Sequence, residues 1–537
     1  MTHFDWHNPY PSTRSPVFAR NVVSTSHPLA AQVGLQMLWK GGNAVDAAIA
    51  AAATLTIVEP VSCGLGGDAF ALVWDGAQLH GLNASGHSPE GWSVDYFLRK
   101  GRPQRGWDTV TVPGVIAGWE ALHRRFGTLP LAELLQPAIE IAERGHAVAS
   151  IVAQKWNAAV PELRDQPGFA ATFMPRGRAP CVSELVRLPD HAHTLRALAL
   201  RGMRDFYEGE IAHGIALSAR AGHAAMTLDD LRCYQPEWVA PLCTEYRGYR
   251  VHEIPPNGQG IAALIALGLL SHFDLKAAPV DSAEAAHLQI EAMKLAFADL
   301  YRYVADPRAM VVTPAQMLDD SYLASRAKLI QPQRAGQFVY GMPKGGGTIY
   351  MSAADQHGMM ISFIQSNYMG FGSGVVVPGT GISMQNRGLG FSMNPDSANV
   401  VAGRKRPFHT IIPGFLTRQV NGVTQPVMSF GVMGGDMQPQ GHLQTLVRML
   451  DYGQQPQAAC DAPRWKINPD FTIDVETQLD ARTVAGLQAR GHTIKSIRDS
   501  YMDFGSGQFI WRLDQQDQER GYVAASDSRR DGLAAGF

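Results

Sequence analysis

An α+β protein, two β-sheets packed together with helices outside, is what the sequence predicts. The part before Thr348 is dominated by helical apolar spacing, the part after it by short apolar runs separated by turns, and helical segments stand at both ends. At 537 residues the chain is long enough to bury one very large core or two smaller ones. No internal repeat of solenoid length is visible.

The elements follow in order. Positions 29 to 40 have helical apolar spacing, Gly41-Gly42 stops that helix, and Asn43 caps an Ala-rich helix that ends before Pro60. Because that second helix is apolar all round, it is buried on several sides. After GLGGD, the run AFALVW reads as a buried strand; GLGGD lacks the spacing and the lysine of a phosphate loop. From 111 to 145 the chain reads as a strand end, a Pro-Gly turn and two helices. The middle, to about 330, reads as mostly helical scaffold interrupted by EIPPNGQG at 253 to 260. A basic, poorly patterned stretch from 325 to 347 reads as exposed loop, where a cut would be tolerated. Beyond it MMISFIQSNYMGFGSGVVV, TGISMQ, HTIIPGFLTRQ, PVMSFGVMGG, HTIKSIR and GQFIWRLD read as strands, with one helix at about 438 to 452.

Hydrophobic content of 45% and charged content of 18% are those of a globular chain, and disorder is not expected over most of it. A net charge of -2 and a pI near 6.8 give no field that would gather nucleic acid or an anionic membrane. The five cysteines (63, 181, 233, 243 and 460) are scattered, without metal-ligand spacing; they read as buried thiols, and neither metal nor cofactor is expected. The N-terminus lacks a secretory signal and no apolar run is long enough for a membrane span, so a cytoplasmic protein is expected.

Chemistry concentrates at Gly345-Gly346-Gly347-Thr348, which leads straight into the strand-like IYMSAAD. A chain cut before Thr348 would carry a free α-amine of near-neutral pKa, able to act as base for its own hydroxyl. The same stretch also reads as a flexible glycine loop before an ordinary strand, and by itself it leaves both open.

Several motifs in series resemble the γ-glutamyltransferase family of N-terminal-nucleophile hydrolases: KGGNAVDAA (40 to 48), GLGGDAFALV (64 to 73), TVPGVIAGWE (111 to 120), the Thr348 strand, FGSG (371 to 374), RKRP (404 to 407), MGGD (433 to 436) and ASDSRRDG (525 to 532). The resemblance covers nearly the whole chain. It implies an αββα sandwich made as one precursor and self-cleaved between Gly347 and Thr348. The products would be a helix-rich large chain (1 to 347) and a sheet-rich small chain (348 to 537) that stay together, with a homo-oligomer among the partners to be tested. It implies Thr348 as nucleophile, Ser366 as its hydroxyl partner, and the backbone N–H groups of Gly434 and Gly435 as oxyanion hole. Asn367 lies one residue out of register with the family's site asparagine.

Departures from the family pattern bear on substrate. The arginine that holds a glutamate α-carboxylate is replaced by Ser85 in LNASGHSP, with His87 nearby, and the aspartate that pairs with the α-ammonium falls near Gly390. Arg387 is a new cation, and His409-Thr410 replaces a serine pair after RKRP. Such a site suits the amide of a small carboxylic acid without an α-amino group, since Arg387 offers a fork for one carboxylate. The subgroup with this pattern includes oxamate amidohydrolase and glutaryl-type cephalosporin acylases. Oxamate hydrolysis is the expectation. The alternatives are a γ-glutamyltranspeptidase, a glutaryl-type acylase and an unprocessed binding homologue; RKRP itself reads as a solvated or structural run.

Overall fold

Two seven-stranded antiparallel sheets lie face to face in the computed structural model, which describes residues 4–336, 338, 348–497, 504–513 and 521–537. One sheet runs Leu533–Gly536, Val22–Thr25, Ile349–Ala354, Met360–Ser366, Asp68–Trp74, Leu79–Ala84, Glu237–Val239. The other runs Val17–Ala19, Tyr522–Ser526, Ser506–Arg512, Val423–Met433, Gly414–Val420, Tyr249–Glu253, Leu242–Tyr246. Segments before and after Thr348 alternate in both sheets, so neither part could complete a sheet alone.

Four layers follow from the side-chain period of two. In Ile349–Ala354 every residue is buried: Tyr350 and Ala354 point into the core between the sheets, whereas Ile349, Met351 and Ala353 point into the core under the helices. Helices Pro28–Trp39, Ala44–Val58, Val115–Phe126 and Leu131–Arg144 cover this sheet. Helices Gly260–Leu270, Ala283–Tyr303 and Met437–Leu450 cover the other. The Ala-rich helix is wholly buried, as its all-round apolar face requires, and the Asn43 side chain accepts from the N–H groups of Val45 and Asp46 at its start.

The structure corrects several expectations. The middle of the chain is not only helical. Leu242–Tyr246 and Tyr249–Glu253 form a hairpin through Arg247 and Gly248, at φ 51° and 83°, the two-residue turn that matches strand twist. Their alternating, charge-bearing sequence lacks the apolar run by which buried strands are read. The run TGISMQ forms only two isolated bridges, Ser383 with Val376 and Met384 with Gly66, and of HTIIPGFLTRQ only the part from Gly414 is strand. The expected loop from 325 begins inside the helix Asp320–Ala327. Three of the five cysteines (Cys181, Cys233 and Cys243) are exposed, and all five are free thiols. Among the described residues no helix is long and apolar enough to cross a membrane.

Candidate active site

Thr348 continues the alternation of its strand, placing its side chain on the face between the sheets, where it is buried. Strand register sets Ser366 opposite Thr348 and Asp68 opposite Ser366, so three polar residues cross one end of the sheet. The Thr348 hydroxyl donates to Ser366 Oγ at 3.2 Å and accepts from Gln438 Nε2 at 3.4 Å. Ser366 Oγ also accepts from the Tyr368 N–H at 2.8 Å. Across the gap, the other sheet's strand Val423–Met433 ends in Gly434-Gly435, at φ +126° and +61°. A Cβ on Gly434 would meet Gly505 Cα at 2.9 Å, so glycine is required there. The turn takes hydrogen bonds on the Gly434 and Gly435 carbonyls, from Met437 and Gln438, but among the described residues none of its backbone bonds uses the two glycine N–H groups. Gln438, accepting from the Ile412 N–H, ties this turn to Thr348.

Arg387 lies beside this group, fully buried. Nη1 donates to Thr410 Oγ1 at 2.8 Å and the guanidinium stacks on Tyr368, 4.7 Å from the ring centre. Its Nε and Nη2 have no hydrogen-bond partner among the described residues. Burial pulls its pKa down to about 10 against the fields of Asp68 and Tyr368. Asp68 accepts from the N–H groups of Gly86 and Gly114 and meets His409 Nε2 at 3.1 Å. Burial raises its pKa to about 7 even though Arg387 opposes this. His409 is held neutral, far below its ordinary pKa, by burial and then by Arg387. Arg387 therefore has a carboxyl group in its surroundings, Asp68, which was not expected there; no described carboxylate reaches it as an ion pair.

The other expected residues are spread around this centre. Asn367 is buried, donates to Ser383 Oγ at 2.7 Å, and lies against Gly64 and Gly67. Ser85 is buried in a network with Asn83 and Asn257, donating to Asn83 Oδ1 and accepting from Asn257 Nδ2. His87 Nδ1 bonds the Ser88 carbonyl. The RKRP run divides: Arg404 pairs with Glu90 at the surface, while Arg406 is buried on the Ser85 carbonyl and Glu237. Gly347, with the two glycines before it, falls outside the described residues.

Sequence reasoning missed Asp68, Tyr368, Asp436 and Gln438. Asp68 and Asp436 stood inside quoted motifs, and the usable signal was an acid directly after a glycine pair, opening a strand at Asp68 and preceding a helix at Asp436. Sequence reasoning also missed His287, Glu291 and His492, whose ligand atoms lie within 4.8 Å of one another and so have a geometry that could hold a metal. Here those atoms already bond each other and protein groups: His287 Nε2 to the Gln331 carbonyl, Nδ1 to His492 Nε2, and Glu291 to Lys294.

Comparison with known proteins gives the family of the chain. The Gamma-glutamyltranspeptidase family model matches residues 30–537. The chain is 34% identical to the glutathione hydrolase-like YwrD proenzyme of Bacillus subtilis, covering 98% of this chain and all of that protein. It is 35% identical to the oxamate amidohydrolase proenzyme of Klebsiella pneumoniae, covering 97% and 99%. Among solved structures, a cephalosporin acylase from Bacillus halodurans superposes with a TM-score of 0.92 at 47% identity, covering 99% and 98%. With a family match over nearly its whole length and a mixed α/β fold shared with that acylase, the chain belongs to the γ-glutamyltranspeptidase family.

Proposed function

We propose that this protein is a self-processing amidohydrolase in which Thr348, freed by cleavage after Gly347, attacks the amide of a small carboxylic acid lacking an α-amino group. The observation that carries this reading is Arg387, a buried guanidinium with two nitrogens unpartnered among the described residues, stacked on Tyr368, whose N–H bonds the Ser366 hydroxyl that Thr348 donates to. Burying an unmatched cation is costly, and a substrate carboxylate would relieve that cost while fixing the scissile carbonyl at attack distance.

In this mechanism the Thr348 α-amine takes the proton from its own Oγ as Oγ bonds the amide carbon. The Gly434 and Gly435 N–H groups, unused by their turn, hold the oxyanion. Collapse of the tetrahedral intermediate breaks the C–N bond, and the α-ammonium protonates the departing nitrogen. Water, deprotonated by the same amine, then releases the acid and restores Thr348. Gln438 and Ser366 keep the hydroxyl aimed across the gap.

The substrate we favour is oxamate, giving oxalate and ammonia. A glutaryl-type acylase is the second reading, favoured by the 47% identity to a cephalosporin acylase. Ammonia from oxamate, with no nitroaniline from a γ-glutamyl anilide, is the expected result. Nitroaniline without ammonia would make the protein a glutathione-type enzyme, and release from a glutaryl amide alone would make it an acylase.

A further inference from the structure

Asp436 occupies the position just before the helix Met437–Leu450, where an aspartate ordinarily accepts the first free N–H groups. Here its side chain makes no capping bond. Asp436 is 93% buried (7% exposed) and its Oδ1 has no hydrogen-bond partner among the described residues. Burial pushes its pKa up to about 7, with Lys466 opposing. A buried acceptor left unmade costs on the order of 1–3 kcal/mol, so such a group points to something that completes it.

Its surroundings place it at the candidate active site. It directly follows Gly434-Gly435, and its field is felt by both Tyr368 and Tyr301. Tyr368 carries the Arg387 guanidinium on its ring, and the Tyr301 hydroxyl, on helix Ala283–Tyr303, is likewise buried without a partner. Near the Tyr368 phenol are therefore both a cation with open donors and an open acceptor. The acceptor on Asn367 is turned against Gly67 instead. At an amide carbon attacked by Thr348, the acyl carboxylate belongs to Arg387 and the oxyanion to the two glycines. The remaining substituent is the leaving nitrogen.

Resting on the amidohydrolase reading above, we propose that Asp436 is a specificity-determining residue that accepts a hydrogen bond from the N–H of the leaving group, with Tyr301 completing its wall. The preferred substrates are then bipolar: a carboxylate at Arg387, and a primary or secondary amide, not a tertiary one, at Asp436. A site built around a substrate N–H rejects an analogue lacking it, because its own polar group is left unpaired.

The test measures oxalate release from oxamate and from N,N-dimethyloxamate by the wild-type protein and by Asp436→Leu and Asp436→Asn, with chain splitting and Tm recorded for each. The expected result is a wild-type preference in kcat/KM for oxamate that falls about 10- to 100-fold in Asp436→Leu and is largely kept in Asp436→Asn, which retains an acceptor. A residue that merely supports the fold would lower both substrates equally, and an unchanged ratio in either a folded Asp436→Leu or a folded Asp436→Asn that has lost activity overturns the proposal. If Asp436→Leu does not fold, an Asp436→Asn ratio equal to wild type at full activity supports it. A split wild-type protein that yields oxalate from neither compound overturns the amidohydrolase reading itself, a failure distinct from loss of the ratio.

Discussion

Arg387 shows how one side chain can carry both a cost and a function. Among the described residues the one hydrogen bond from its guanidinium goes to Thr410, its plane rests on Tyr368, and burial lowers its pKa, yet at about 10 it stays charged at neutral pH. Arg387→Met should lower kcat/KM for a carboxylate-bearing amide by roughly 100-fold, about 3 kcal/mol, mostly through KM. Arg387→Lys should recover little, since an ammonium cannot reproduce the planar fork. Steady-state kinetics on oxamate check both, and an unchanged KM in Arg387→Met would remove the arginine from substrate binding. The sequence made Arg387 visible because a cation replaced a neutral position in a recognisable motif. Asp68 and Asp436 were hidden for the opposite reason. Each belongs to a motif that already had an explanation, and what distinguishes them, a buried position opposite Ser366 for Asp68 and an unsatisfied oxygen for Asp436, comes from strand register and helix start geometry that only the fold supplies.

At the level of elements, the motif ASDSRRDG is a structural knot. Asp527, in the turn after strand Tyr522–Ser526, accepts from the Gly507 N–H and pairs with both Arg464 and Arg529, while Arg529 also pairs with Glu476. It thereby fastens the end of one large sheet to the small sheet of Trp465–Ile467, Ile473–Glu476 and Ile494–Ile497. Burial opposes the Asp527 charge, but Arg529, Arg464 and the backbone bonds prevail and hold its pKa at about 2. Because the folded pKa lies below the ordinary 3.8, this stabilisation is fully present above about pH 3.8 and is lost as pH falls through about 2. Asp527→Asn leaves two buried guanidinium groups underpaired and should cost about 3–5 kcal/mol at pH 7. Chemical denaturation at pH 7 and in acid checks this: the difference from wild type should shrink on acidification, and a constant difference would contradict it. Long patterned elements were legible in the sequence, such as the Ala-rich helix with its Asn43 cap. The edge hairpin at 242–253 was not, because an edge strand needs no apolar run and its turn, Arg247-Gly248, carries none of the usual Asn-Gly or Asp-Gly signature.

For the whole molecule, the interleaving of the two sheets decides what processing can do. The strands Ile349–Ala354 and Met360–Ser366 are bonded on one side by Val22–Thr25 and on the other by Asp68–Trp74, so a cut before Thr348 would leave both pieces locked in shared sheets. The layers were predicted from segment content, and their weaving was not, since strand pairing between residues hundreds apart leaves no local trace in sequence. The central claim is that Thr348 is both the point of processing and the nucleophile. It is tested most directly by intact-mass analysis under denaturing conditions, together with ammonia release from oxamate, for wild type and Thr348→Ala. Wild type should give two pieces, 58.3 kDa divided in proportion to 347 and 190 residues or about 38 and 21 kDa, which co-elute natively, with the smaller beginning at Thr348 and ammonia produced. Thr348→Ala should remain one 58.3 kDa chain and release none. A Thr348→Ala protein that still splits and still releases ammonia would contradict the account.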